Sequence, residues 1–158
     1  LEALLEKPTP VRRQSTDYNF HDALLGATPL WLAARFSEPE IMKALIKSGA
    51  DPLVINQMSY PAQRSGENFI NDEGEINLLM AAAGMGHWRL RVSWGTPERR
   101  EGQLQDKESL ILDSVIVALQ AGAEINAKDT EGQTALAFSK QRNYDSVVHV
   151  LETAGALE

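Results

Sequence analysis

The stretch that decides the fold is Thr28-Pro29-Leu30-Trp31-Leu32-Ala33-Ala34, followed fifteen residues beyond its last alanine by Gly49-Ala50-Asp51. Threonine ahead of a proline marks a helix start: the proline needs no amide donor in the first helical turn, and the threonine hydroxyl can accept from a free backbone N–H. The paired alanines let this short helix sit close to its neighbours. Before Gly49, the apolar residues Ile41, Met42, Leu45 and Ile46 form one stripe on a second helix, which the glycine then ends in a left-handed cap.

Both elements recur. Gly122-Ala123-Glu124 and Gly155-Ala156 repeat the stop, with glycines 33 residues apart, while Gly49 and Gly122 are 73 apart, one such period plus 40. At the same offsets before the glycines stand Ser114, Val115, Ala118 and Leu119 in one copy and Val147, Val148, Leu151 and Glu152 in the other. Asn77-Leu78-Leu79-Met80-Ala81-Ala82-Ala83 and Thr134-Ala135-Leu136-Ala137-Phe138-Ser139-Lys140 repeat the upstream helix. The spacing predicts six main helices, the outer ones near residues 39–48, 108–121 and 144–153, with Leu45 and Leu119 as buried stripe positions.

A period of 33 residues with this internal order resembles the ankyrin repeat family, whose unit is a turn plus two antiparallel helices opening on Thr-Pro-Leu-His. Trp31, Met80 and Ala137 occupy the histidine position, and the Gly-Ala-Asp and Gly-Ala-Glu-Ile-Asn endings match the family pattern; about 100 of the 158 residues are covered. The resemblance implies an all-α, ankyrin-like solenoid of stacked helix-turn-helix repeats with long inserted loops, of the kind found in bacterial-type arrays. Its expected divisions are one domain over 1–158. Within it, 1–25 supply the remnant of a preceding repeat and a long finger, with Leu4-Leu5-Glu6-Lys7 as a helix end. Then come a repeat at 26–53, a repeat at 74–127 split by an insertion at about 88–107, and a C-terminal capping repeat at 128–156.

The extra residues fall in two places. One insertion lies between about Val54 and Gly74, where the family carries a protruding β-turn finger, and should form an extended finger. The other separates the two helices of the middle repeat. Both are rich in Gly, Pro, Arg, Ser and Glu, as loops are. In the third copy, Lys140 and Glu152 put polar side chains where a further repeat would stack, as a capping repeat requires.

Composition sets the function classes. Apolar residues make up 43% and charged residues 23%, the balance of an ordinary folded domain. A net charge of -7 opposes general affinity for nucleic acid or anionic lipid, and no apolar run reaches the length of a membrane span. Without cysteine there are no disulfides, thiolate metal ligands or cysteine nucleophiles. The absence of an initiating methionine at Leu1 points to a processed or cloned fragment of a larger parent.

No catalytic set assembles from the residues. His21, His87 and His149 fall in different elements without metal-ligand spacing. Gly84-Met85-Gly86 closes a helix instead of opening one, so it lacks the amide cluster that would hold phosphate. We expect no catalytic residues, cofactor or metal, and a monomer that binds a protein partner; the alternative is a passive spacer or capping module within a larger enzyme or receptor.

The resemblance also implies contact positions: Arg35 and Phe36 after the first alanine pair, Gly84 and Met85 after the second, and Gln141 and Arg142 in the third copy. In the last finger they are Lys128, Thr130, Glu131 and Gln133. Phe36 has a competing role in packing. The second insertion adds Trp88, Arg89, Arg91, Trp94 and Arg99. Its tryptophans either pin the loop to the helices or help present the arginines to an acidic partner, two readings the sequence leaves open.

Overall fold

The computed structural model describes residues 2–6, 24–61, 71–85 and 107–157. Their element order is α1 (Pro29–Arg35), α2 (Pro39–Lys47), β1 (Asn56–Pro61), β2 (Asn71–Ile76), α3 (Leu78–Ala82), α4 (Lys107–Gln120), α5 (Ala135–Arg142) and α6 (Asp145–Thr153). The three outer helices, α2, α4 and α6, each fall within one residue of their expected limits. The helices form three pairs: α1 packs on α2, α3 on α4 and α5 on α6. The pairs join through α1 on α3, α2 on α4 and α4 on α6.

Each inner helix begins in the same way. Thr28 Oγ1 accepts from Trp31 N, Asn77 Oδ1 from Met80 N and Thr134 Oγ1 from Ala137 N. Each outer helix ends in the same way too, with Gly49, Gly122 and Gly155 in the left-handed region. The residue after each glycine donates back five positions, Ala50 to Leu45 O, Ala123 to Ala118 O and Ala156 to Leu151 O, which closes the last turn as a Schellman motif.

The core runs through all three pairs. Leu30, Trp31 and Ala34 of α1, Met42 of α2, the whole of α3, Val115 and Ala118 of α4, Leu136 of α5 and Val147 and Leu151 of α6 are buried. Leu45 and Leu119 are only half-buried, a correction to the expected stripe, whose innermost positions fall on neighbouring residues such as Met42 and Ala118. Ser114 and Ser139 are also buried, each donating to the carbonyl four residues earlier, at Leu110 and Ala135. Such local bonds let a hydroxyl occupy a helical core position.

Where the family histidine would stand in the first copy, the Trp31 indole is 1% exposed and donates to Ile76 O at 3.0 Å. That bond ties the first inner helix to the end of β2, in the following unit.

The described chain is mostly helical, as an ankyrin-like array should be, and its strands are confined to the first insertion. There the extended finger is an antiparallel hairpin that pairs Asn56 with Ile76 and Pro61 with Asn71. A long finger adopts this form because cross-strand bonds satisfy backbone groups that would otherwise need water. One further expectation is corrected: Leu4-Leu5-Glu6 does not end a helix. Leu5 N donates to Ala27 O and Gly26 N to Leu5 O, so this segment pairs with the base of the first repeat, and Glu2 Oε1 accepts from Asp51 N.

Candidate partner-binding surface

The ends of the inner helices and the turns that follow them carry most of the described contact positions. Their geometry follows from how the inner helices end. Ser37 at φ 54°, Gly84 at φ 89° and Asn143 at φ 56° each occupy the left-handed region. The next residue bonds back five positions in every case: Glu38 N to Ala33 O, Met85 N to Met80 O and Tyr144 N to Ser139 O. Inner and outer helices thus share one terminal motif. At Ser37 and Asn143, however, it is built without glycine, so a search for glycine stops passes over both.

This motif decides what each flanking residue can do. The residue after the left-handed position is turned back onto the helix, usually as an apolar contact. Met85 is there, and it is 1% exposed. Its side chain is part of the core, unlike that of a contact residue. In the first and third turns the residues ahead of the left-handed position remain nearer the surface: Gln141 and Arg142 are exposed, and Arg35 and Phe36 are half-buried, with Phe36 packed against the core, whereas Ala82 and Ala83 ahead of Gly84 are buried. The guanidinium of Arg142 stacks over the ring of Phe138, one helical turn earlier in α5, at 5.2 Å from its centroid. A Cβ on Gly84 would lie 4.0 Å from Phe138 Cε1, so the turns of the second and third pairs are in contact range.

Arg35, the last residue of α1, is in a different environment. Its Nε and Nη2 are shut off from solvent and have no hydrogen-bond partner. Burial lowers the guanidinium pKa to about 10, against a weaker opposing influence from the Tyr144 side chain. Arg35 therefore stays charged near neutral pH.

The last finger is closed at its tip by four hydrogen bonds. Asp129 Oδ1 accepts from Glu131 N and Gln133 N, Asp129 N donates to Gln133 O, and Gly132 N donates to Asp129 O. Lys128, Thr130 and Glu131 are exposed on this frame, and Gln133 is half-buried. Counting from the glycine stops, Ile55 in the first finger holds the place of Lys128 in the last. Ile55 is 51% exposed and its neighbour Leu53 62%. Neither is among the expected contacts, although the shared offset from Gly49 and Gly122 is a signal that could have found Ile55. Trp88, Arg89, Arg91, Trp94 and Arg99 lie outside the described residues, as do His21 and His87. His149 is exposed on α6. Among the described residues, no three His, Asp or Glu side chains gather as a metal site would require, and no helix is long and apolar enough to cross a membrane.

Residues 25–57 match the family model of the ankyrin repeat. That segment is an ankyrin repeat. The matched ankyrin repeat runs from the segment before α1 to the first residues of β1, and so stops where the inserted hairpin begins. The other two helix pairs lie outside the match but keep its start caps and glycine stops. No curated protein matches the chain. Ankyrin repeats generally mediate protein–protein interactions.

Proposed function

We propose that the chain is a non-catalytic scaffold that binds a protein partner through its fingers and the C-terminal ends of its first helices, on the concave face expected of such an array. The observation that carries this reading is the placing of exposed, chemically varied side chains on closed local frames. Lys128, Thr130 and Glu131 ride on the Asp129 turn, and Gln141 and Arg142 precede the Asn143 cap. Side chains on such frames lose less conformational freedom on binding than those on loose loops. The inserted hairpin extends the same row of fingers with Leu53 and Ile55 at its base.

A pull-down compares the wild type with a double variant, Glu131→Lys and Arg142→Glu. The wild type should retain a partner at micromolar bait and the double variant should lose it. A passive spacer would retain none. If reversing Arg89, Arg91 and Arg99 abolishes retention and the double variant does not, the second insertion carries the binding instead.

A further inference from the structure

Residues 2–5 repeat, bond for bond, the base of the last finger. There Asp129 N donates to Gln133 O and Gly132 N to Asp129 O; ahead of α1, Leu5 N donates to Ala27 O and Gly26 N to Leu5 O. Gly132 at φ 78° and Gly26 at φ 80° share one left-handed conformation. Leu5 thus holds the place of Asp129, and Glu2, three residues earlier, that of Asn126. A further bond agrees with this register. Asn126 Oδ1 accepts from Leu157 N, two residues after the Gly155 stop, and Glu2 Oε1 accepts from Asp51 N, two residues after Gly49. In the last finger this base follows an outer helix, α4, whose stop at Gly122 is four residues before Asn126.

The outer helices show what such a neighbour covers. α2 packs on α4 and α4 on α6. Eight and five residues before the glycine stop stand Ser114 and Val117 in α4, both buried, and Val147 and Val150 in α6, buried and half-buried. In α2 these positions are Ile41, 51% exposed, and Ala44, also exposed. The positions seven and three before the stop open at the other end of the stack. Met42 and Val115 are fully buried there, whereas in α6 Val148 is half-buried and Glu152 is exposed and paired with Lys140. One end is closed by an ion pair, as an end facing water should be, while the other presents an apolar stripe.

We propose that the α2 end of the stack is a docking face for a further antiparallel helix pair, carried by the same polypeptide ahead of Glu2. Its outer helix lies along α2, with a left-handed stop four residues before Glu2. Apolar side chains seven and three residues before that stop, as Met42 and Ile46 are before Gly49, meet Ile41 and Ala44. This goes beyond the partner-binding reading, which uses the turns and fingers.

The test adds to the full chain a copy of residues 26–52 joined directly to Glu2, which sets the copied glycine at the required distance. The extended chain should gain about 5 °C or more in Tm over the original. Ile41→Lys, made at the original position, should move the Tm of the unextended chain by no more than about 2 °C yet remove most of the gain. Because the chain has no cysteine, Ile41→Cys reports cover directly. Its thiol should react freely with a maleimide in the original chain and about tenfold more slowly in the extended one, while Lys43→Cys reacts alike in both. Equal Ile41→Cys rates in the two chains, or a Tm gain that survives Ile41→Lys, would overturn the proposal. A large Tm loss from Ile41→Lys in the unextended chain would do the same, since its own residues would then cover the stripe. If the Ile41→Cys reaction slows as the unextended chain is concentrated, the face belongs to a second copy and the proposal also fails. The thiol rates decide the matter even if Ile41→Lys does not fold.

Discussion

Glu108, in the first turn of α4, caps the start of α6: its Oε1 accepts from Ser146 N at 2.8 Å and from Ser146 Oγ at 2.6 Å. One carboxylate thereby satisfies a free amide of a helix that begins 37 residues further along the chain, with the helix dipole adding to the attraction. The two bonds from Ser146, the side-chain one first, hold the Glu108 pKa below its ordinary value. The lowered pKa fixes the sign of the pH dependence. The stabilisation is complete above the unfolded carboxylate pKa and is lost as pH falls through the lower, folded one. Glu108→Gln should therefore lower stability near neutral pH, and its deficit should shrink as pH falls through that window. Urea denaturation of both proteins at a series of pH values checks this; a deficit that does not change with pH would show that charge has no part in the cap.

The left-handed residues predict opposite responses to complementary substitutions. Ser37 carries a Cβ at φ 54°, where glycine is at ease. Ser37→Gly should stabilise the chain by about 0.5–1 kcal/mol. Gly122 sits at φ 86°, and a Cβ there would meet nothing within 4 Å. Gly122→Ala should still cost about 1–2 kcal/mol, from backbone strain alone. Thermal unfolding of the pair reads both signs. A neutral Gly122→Ala would mean that the turn relaxes.

The parts of this fold legible in the sequence are those fixed by local rules. The Gly49, Gly122 and Gly155 stops and the Thr28, Asn77 and Thr134 starts act within one helical turn, so one residue type at one offset suffices to find them. Ser37 and Asn143 escape such a reading because the conformation there is imposed by the closing hydrogen bonds and not advertised by residue type. The inward turn of Met85 has the same origin. Glu108 reads as one more acid beside a loop, because its partner Ser146 is close only once α4 packs on α6. Arg35 reads as a surface position by its place in the repeat. Its unpartnered nitrogens depend on packing and leave no trace in residue order.

The position of the stripe yields a ranking of core substitutions. Leu151 is fully buried in α6, Leu119 is half-buried in α4, and Glu152 is exposed and paired with Lys140 at 3.0 Å. Leu151→Ala should cost about 2–5 kcal/mol, the range for emptying a closed leucine site. Leu119→Ala should cost less, since its site is already open on one side. Glu152→Ala should cost under about 1 kcal/mol, as exposed ion pairs contribute little. Chemical denaturation of the three variants gives the order, and a loss at Glu152 equal to that at Leu151 would contradict this packing.

Trp31 provides the sharpest test of how one unit is joined to the next. Its indole N–H reaches Ile76 O at 3.0 Å, at the last residue of β2 and directly before the Asn77 cap of α3. Asn77 in turn donates from Nδ2 to Glu124 O at 2.9 Å, so the start of the second unit is held from both sides. Trp31→Phe keeps an aromatic ring but removes the donor and part of the volume. The combined loss of the bond and of packing should be about 2–4 kcal/mol. Volume loss alone would weaken α1 without singling out the hairpin, whereas loss of the bond acts on Ile76. Amide exchange should therefore quicken in residues 71–76 beyond the change seen in α5 and α6. Equal acceleration throughout would assign the whole effect to packing and leave the hydrogen bond without a part in joining the units.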